Sequence, residues 1–308
     1  MPTLFDKLIQ RLTLRKAPDA DGDTVFIGGS GSGGVTANAR LFGGLVAAQA
    51  TVAAVNAVTA NLPGSSPQLS SQLSSQHPGD TATNAAAPES AMPLHSLHSY
   101  FLRPGRADSD IEYRVQNAKD GRNFKVRNVQ AWQQGQLIFQ LQASFQRPEA
   151  ESFSHAPSMP SVKPPAEAPN RDQLRGRENW REMPIDVRML NEITTDQAAP
   201  AEQAVWIKAN GNVTPAAYLH YGLLVYASDR SLLDTAWRPH ADQGELVGAS
   251  LDHSIWFHKP PDMNQWLLYD MYSPVAAASR GLAFGHMFNE TGTCIATVAQ
   301  EGLLRVKR

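Results

Sequence analysis

The 308-residue chain carries one cysteine, Cys294. That excludes a disulfide framework and any multi-cysteine zinc site, and it suits a reducing compartment. Neither sign of charge is in excess. With 27 Lys and Arg against 29 Asp and Glu, nothing electrostatic favours nucleic acid or an anionic membrane as a partner. Long apolar runs are missing as well. The uncharged stretch 41–79 opens mostly on Ala, Gly, Val and Thr, with Gln49 and Asn56 inside it, too weakly apolar for a membrane span. The N-terminal MPTLFDKLIQRLTLRK lacks the uninterrupted apolar core of a secretory signal and reads as a short amphipathic helix. The C-terminal Val306-Lys307-Arg308 is not a peroxisomal address, so cytoplasm is the expected compartment.

At about 150 residues per domain the length fits two domains. Residues 61–93 are dominated by Ser, Gln, Ala and Pro and are expected to form a disordered loop within the first unit, 1–147. Six prolines between 148 and 169 mark 148–182 as a linker, which leaves 183–308 as the second unit.

The two units repeat each other. FLRP at 101–104 is matched by FHKP at 257–260, and 39 residues after each proline stands an alanine in a strand-like run, Ala143 or Ala299. Between them each copy has an extended segment, an arginine (Arg122, Arg280), a further strand and a glycine turn (Gly135, Gly292). A helix precedes each block. In the first copy Leu41, Leu45, Ala48, Val52 and Val55 recur at steps of three and four. In the second, Thr214 and Pro215 offer an N-cap and a first-turn proline for AAYLHYGLLVYASD. That helix is apolar on nearly every side and must be buried. The expected class is α+β: twice over, one long central helix wrapped by an antiparallel sheet.

Gly29-Ser30-Gly31-Ser32-Gly33-Gly34 satisfies GxGxxG, but no acid follows until Asp80 to hold a ribose, so a flexible loop is the better reading. A GK[ST] phosphate loop is absent. Asp229 lies on the helical stripe of Tyr218, Gly222 and Val225, where it either ends the helix or serves as a general base. Ser250 shares strand parity with Asp252 and Ser254. Gln300 shares parity with Cys294, Ala296 and Val298, on a face that points at the helix. His220, His253 and His258 lack metal-site spacing and read as packed or hydrogen-bonded histidines. No GxSxG elbow is present.

LFGG (41–44), HSLHSYFLRPG (95–105), DGRNF (120–124), VWIKANG (205–211), YASDRSLL (226–233), SLDHSIWFHKP (250–260), WLLYDMYSP (266–274) and VAQEGLLR (298–305) together resemble the acyl-CoA thioesterase II family of bacteria and its peroxisomal counterparts. The resemblance implies a double hot-dog fold. It also implies a catalytic set of Asp229, Ser250 and Gln300 that holds a water for attack on a medium- or long-chain fatty acyl-CoA, releasing free acid and coenzyme A. It implies no metal and no cofactor, a homo-oligomer (dimer or tetramer), and cytoplasm or peroxisome as the compartment. FGGLVAAQ departs from the family pattern at Leu45, where relatives have a polar residue. His95 and His98 keep the family's histidines and read as structural. Two other readings fit the same fold: an acyl-CoA-binding protein without catalysis, and an enoyl-CoA hydratase. The hydratase would need an Asp/His pair, and YASDRSLL has no histidine close behind Asp229.

Overall fold

The computed structural model describes residues 2–30, 40–59, 92–192 and 196–307. The expected loop at 61–93 and most of the Gly/Ser stretch fall outside these residues, apart from their edges. The chain opens on α1 (Leu4–Leu12), capped by the reciprocal bonds of Thr3 and Asp6, as a capping box requires. It continues through β1 (Arg15–Lys16), β2 (Thr24–Gly28), α2 (Gly43–Thr59), β3 (Leu94–Phe101), β4 (Ile111–Asp120), β5 (Phe124–Gln133) and β6 (Gln136–Gln146). After α3 (Arg171–Leu174) come β7 (Ile185–Met189), β8 (Glu202–Ala209), α4 (Ala217–Ser228), α5 (Leu232–Trp237), β9 (Leu246–Ser250), β10 (Asp252–Phe257), β11 (Leu267–Ala277), β12 (Arg280–Asn289) and β13 (Cys294–Val306).

All strands join one antiparallel sheet in the order β1-β2-β4-β5-β6-β3-β10-β13-β12-β11-β8-β7, with β9 also on β13. The order 2-4-5-6-3 of the first half returns as 8-11-12-13-10 in the second, and the halves meet where β3 pairs with β10. His98 lies opposite Ser254 at this seam. The repeat read from the sequence is therefore structural: Phe101 closes β3 and Phe257 closes β10. Gly135 and Gly292 take positive φ of 75° and 83° between paired strands, a conformation glycine adopts without steric cost.

The spacing of the two alanines misleads by one residue. Ala143 faces inward and pairs with Leu97. Leu97 stands four residues before Phe101, as His253 stands four before Phe257, and the register that pairs Ser254 with Ala299 places His253 opposite Gln300. Ala143 therefore corresponds to Gln300. The offset lies in the hairpin: Ala131 pairs with Phe139, eight residues on, but Met287 with Ala296, nine residues on, so the β12–β13 connection is one residue longer than that of β5–β6.

Both central helices are buried on nearly every side because strands cover one side and the other helix the rest. α2 is rich in alanine, and every residue from Gly44 to Val55 is buried. This lets α4 come so close that a Cβ on Gly222 would lie 2.9 Å from a Val52 methyl. Leu12 of α1 is fully buried against the same pair. α4 starts later than Thr214-Pro215 implies. Its N-cap is Ala216, without a side-chain bond, while the Val213 N–H before that pair is held by the Asn264 side chain.

The proline-rich segment is not a bare tether. Trp206 Nε1 donates to Lys163 O at 2.8 Å, and Met159 and Val162 pack with Trp266 over Trp206, Leu268 and Phe288. This segment thus covers an apolar patch outside the main core.

Candidate active site

Three elements converge on Asp229. It is the C-cap of α4, an unfavourable place for a carboxylate in its own helix's field. Two features offset this. Its Oδ1 accepts from Ser250 Oγ at 3.1 Å and from Gln300 Nε2 at 2.7 Å, and Gln300 Nε2 also reaches Ser250 Oγ at 2.7 Å. Across the helix pair, the start of α2 faces it: a Cβ on Gly43 would lie 3.4 Å from Asp229 Oδ2, and one on Gly44 3.1 Å from Asp229 Cβ. The first N–H groups of a helix have no intrahelical acceptor and carry its positive end. Asp229 thus sits at the negative end of one helix and the positive end of the other.

Ser250 reaches the site through a β-bulge. Ser250 faces Gly302 and Ser254 faces Ala299, so four steps along β9 and β10 match three on β13, and Leu251 is the extra residue. The expectation that Ser250 shares a face with Asp252 and Ser254 is corrected here. The extra residue breaks the alternation, sending Ser250 inward with Gln300 while Asp252 and Ser254 stay on the other face. Asp252 supports the bulge by accepting from the Glu301 N–H at 2.7 Å. Gln300 is fully buried and lies on the inward face with Ala296 and Val298, as the parity reading has it, but Cys294 does not: the register shift at Ile295 turns it outward, onto the patch of Trp206, Leu268 and Phe288.

The turn after Asp229 is held firmly. Gln203 Nε2 donates to Ser231 O and Thr235 Oγ1, both at 2.7 Å, and Arg171 Nη1 to Ser231 Oγ at 3.0 Å. Buried Asp172 lies 3.9 Å from the Arg230 guanidinium. Asp229 and Ser250 open on a cleft of about 690 Å³ that both halves line. Leu41, Phe42, Val46, Phe101 and Ile138 form its first-half wall, and Arg40 and Arg103 supply positive charge. Phe42 packs edge-on against Tyr226 at 5.1 Å. A second concavity of about 450 Å³ on the first half is lined by polar side chains such as Gln116, Asn128 and Gln142 and contains none of the three residues.

Two family models match: one described as acyl-CoA thioesterase over residues 177–303, the other as acyl-CoA thioesterase N-terminal domain over 32–146. Acyl-CoA thioesterase 2 of Haemophilus influenzae is 34% identical, with 99% of each chain covered. Acyl-coenzyme A thioesterase 8 of Mus musculus is 33% identical over 89% of this chain and 82% of its own.

The chain belongs to the acyl-CoA thioesterase family.

Its fold is the family's. The crystal structure of the acyl-CoA thioesterase II TesB2 from Mycobacterium marinum superposes with a TM-score of 0.71 at 31% identity, covering 97% of this chain and 98% of that one. The hot-dog unit, a helix wrapped by an antiparallel sheet, occurs twice.

For this thioesterase the sequence reading overlooked Gly43 and Gly44, which come to Asp229 from the other half. Only their place in the LFGG string hinted at them. The histidines are hydrogen-bonded. His220 Nδ1 accepts from the Met263 N–H at 3.0 Å, His258 Nε2 lies 2.8 Å from Thr297 Oγ1, and His253 Nε2 lies 2.8 Å from Ser228 Oγ. His95 and His98 bond Ser144 at 2.8 Å and Ser254 at 3.1 Å. Among the described residues no group of three His, Cys, Asp or Glu is placed to hold a metal ion, and no helix there is long and apolar enough to cross a membrane.

Proposed function

We propose that the chain hydrolyses medium- and long-chain fatty acyl-CoA to free acid and coenzyme A, with a water held by Asp229, Ser250 and Gln300. One observation carries this reading: a carboxylate oxygen that receives both a hydroxyl and an amide donor, at the head of an apolar cleft. The two donors fix the carboxylate in one orientation. Asp229 takes a proton from the water, and the hydroxide oxygen bonds to the thioester carbonyl carbon. Negative charge then gathers on the former carbonyl oxygen, where the free N–H groups at the start of α2 supply donors and a positive field. The C–S bond breaks, and the proton on Asp229 passes to the departing thiolate.

Cleft chemistry sets the substrate class. The walls contributed by Leu41, Val46, Phe101 and Ile138 are apolar, and each methylene buried there is worth about 0.8 kcal/mol, roughly fourfold in affinity. Acetyl-CoA leaves those walls unused. Thiol release from acyl-CoAs of increasing chain length, by wild type and by Asp229→Asn, tests the reading. Medium and long chains are expected to outrun acetyl-CoA, and Asp229→Asn to lose about 10²–10⁴ in kcat, the usual share of a positioned base. A wild type that binds acyl-CoA yet releases no thiol would make this a binding protein.

A further inference from the structure

His253 is fully buried, yet its Nδ1 has no partner within hydrogen-bonding geometry. The same holds for Gln300 Oε1, the amide atom that Asp229 and Ser250 do not use. These two orphaned atoms belong to cross-strand neighbours on the inward face. The remaining imidazole nitrogen, Nε2, lies 2.8 Å from Ser228 Oγ, which is itself 2.9 Å from Val225 O.

We propose that His253 is a positioning residue whose imidazole carries its proton on Nδ1 and donates it to Gln300 Oε1, turning the amide NH₂ toward Asp229 and Ser250. This rests on the reading of Asp229, Ser250 and Gln300 as the set that holds the water.

Proton counting favours this arrangement. Ser228 has one hydroxyl proton, and the neutral imidazole has one N–H. If the imidazole proton sat on Nε2, Nδ1 and Gln300 Oε1 would face each other as two buried acceptors with no proton between them. With the proton on Nδ1, the Ser228 hydroxyl turns its one proton from the Val225 carbonyl to Nε2, giving up that bond within the helix, and Gln300 Oε1 is satisfied. A Gln300 amide turned the other way would point its oxygen at the Asp229 carboxylate and lose both donor bonds that Nε2 makes now. Tautomer and amide orientation are therefore linked, and His253 selects the orientation that serves Asp229. Burial disfavours the doubly protonated imidazole; the Asp229 charge, the Gln300 side chain and Asp252 oppose that tendency.

The counterpart pair in the first half is Leu97 and Ala143, which packs the same place in the sheet without polar atoms. Packing alone does not demand a histidine here.

The test is made on the full chain. An ¹⁵N spectrum of histidine-labelled protein, with the His253 signals identified by their loss in His253→Asn, is expected to show a neutral ring protonated on Nδ1. A ring protonated on Nε2 overturns the proposal. This readout does not depend on turnover, so it stands apart from any failure of the hydrolytic reading. Kinetically, His253→Asn places an amide NH₂ where Nδ1–H stands, and His253→Gln places one near Nε2. The Asn variant is expected to keep kcat within a few-fold of wild type. The Gln variant is expected to lose kcat, by up to the roughly 10²-fold cost of a misplaced donor, with KM unchanged. Equal kcat for the two variants, or a change confined to KM, overturns it. Both variants keep a polar group of similar size, and their melting temperatures show whether each is folded.

Discussion

The two halves of this molecule are built alike and equipped differently. Each wraps a buried helix in strands of matching order, but where the second half places His253 and Gln300 side by side on the inward face, the first has Leu97 and Ala143. The fold needs only apolar periodicity at those positions, which Leu and Ala satisfy without a single polar atom. Chemistry needs buried groups that bond one another beside the carboxylate, and at this place in the sheet only the second half has them. The first half is nonetheless part of the site, because antiparallel packing of α2 on α4 brings its helix start, Gly43 and Gly44, against Asp229. The duplicated scaffold thus supplies a carboxylate from one copy and a positive helix end from the other.

That division can be broken from either side. Gly44→Ala attacks the first half's contribution. The new Cβ would lie 2.5 Å from the Phe42 ring and 3.1 Å from Asp229 Cβ, so the Phe42 ring must swing out of the cleft wall and the helix start and the carboxylate must part slightly. Steady-state thiol release is expected to show a loss of up to about 10²-fold in kcat/KM, the scale of an ångström's misplacement, with little change in melting temperature. Unchanged kinetics would remove α2 from the site.

Ala143→Gln attempts the reverse, giving the first half the second half's amide. Leu97 and the other apolar neighbours offer that amide no partner, and burying it unpaired costs about 1–3 kcal/mol. Denaturant unfolding should register that loss while kcat stays at the wild-type value. A variant as stable as wild type would mean that the two inward faces are more alike than their side chains suggest.

The smallest effect lies in pH. His253, His95, His98 and His258 all have pKa values lowered chiefly by burial. The unfolded chain, with histidines near 6.5, therefore takes up protons before the folded one does. Stability is full above that value and falls as pH drops below it toward the folded pKa. Melting temperatures between pH 8 and 5 should fall more steeply for wild type than for His253→Asn, since His253 is the fully buried member. Replacing half-buried His95 should flatten the curve less, and a larger effect there would reverse the expected ranking of the halves.

Much of this was legible before the structure. The steps of three and four from Leu41 to Val55 mark α2, and the apolar run after Ala217 marks a helix buried on all sides. Strand parity alone puts Gln300 on the inward face. The same rule fails for Ser250, because a single extra residue at Leu251 reverses the alternation and no local residue type announces the bulge. Thr214-Pro215 looks like a helix start, but tertiary bonds around Val213 carry the chain past it. Gly43 and Gly44 are far from Asp229 in sequence and near it only through helix packing. The prolines of 148–182 suggest a tether, and the burial of Asp172 and Arg171 beside the Asp229 turn cannot be read from composition.

The central claim is that Asp229 and Gln300 act as one unit on one water. A double-mutant cycle in kcat with Asp229→Asn, Gln300→Ala and the pair tests it most directly, because residues that act as a unit lose their effect together. The account predicts that the double variant is about as slow as Asp229→Asn alone. Losses that multiply, each variant lowering the rate by its full factor in the presence of the other, would contradict it.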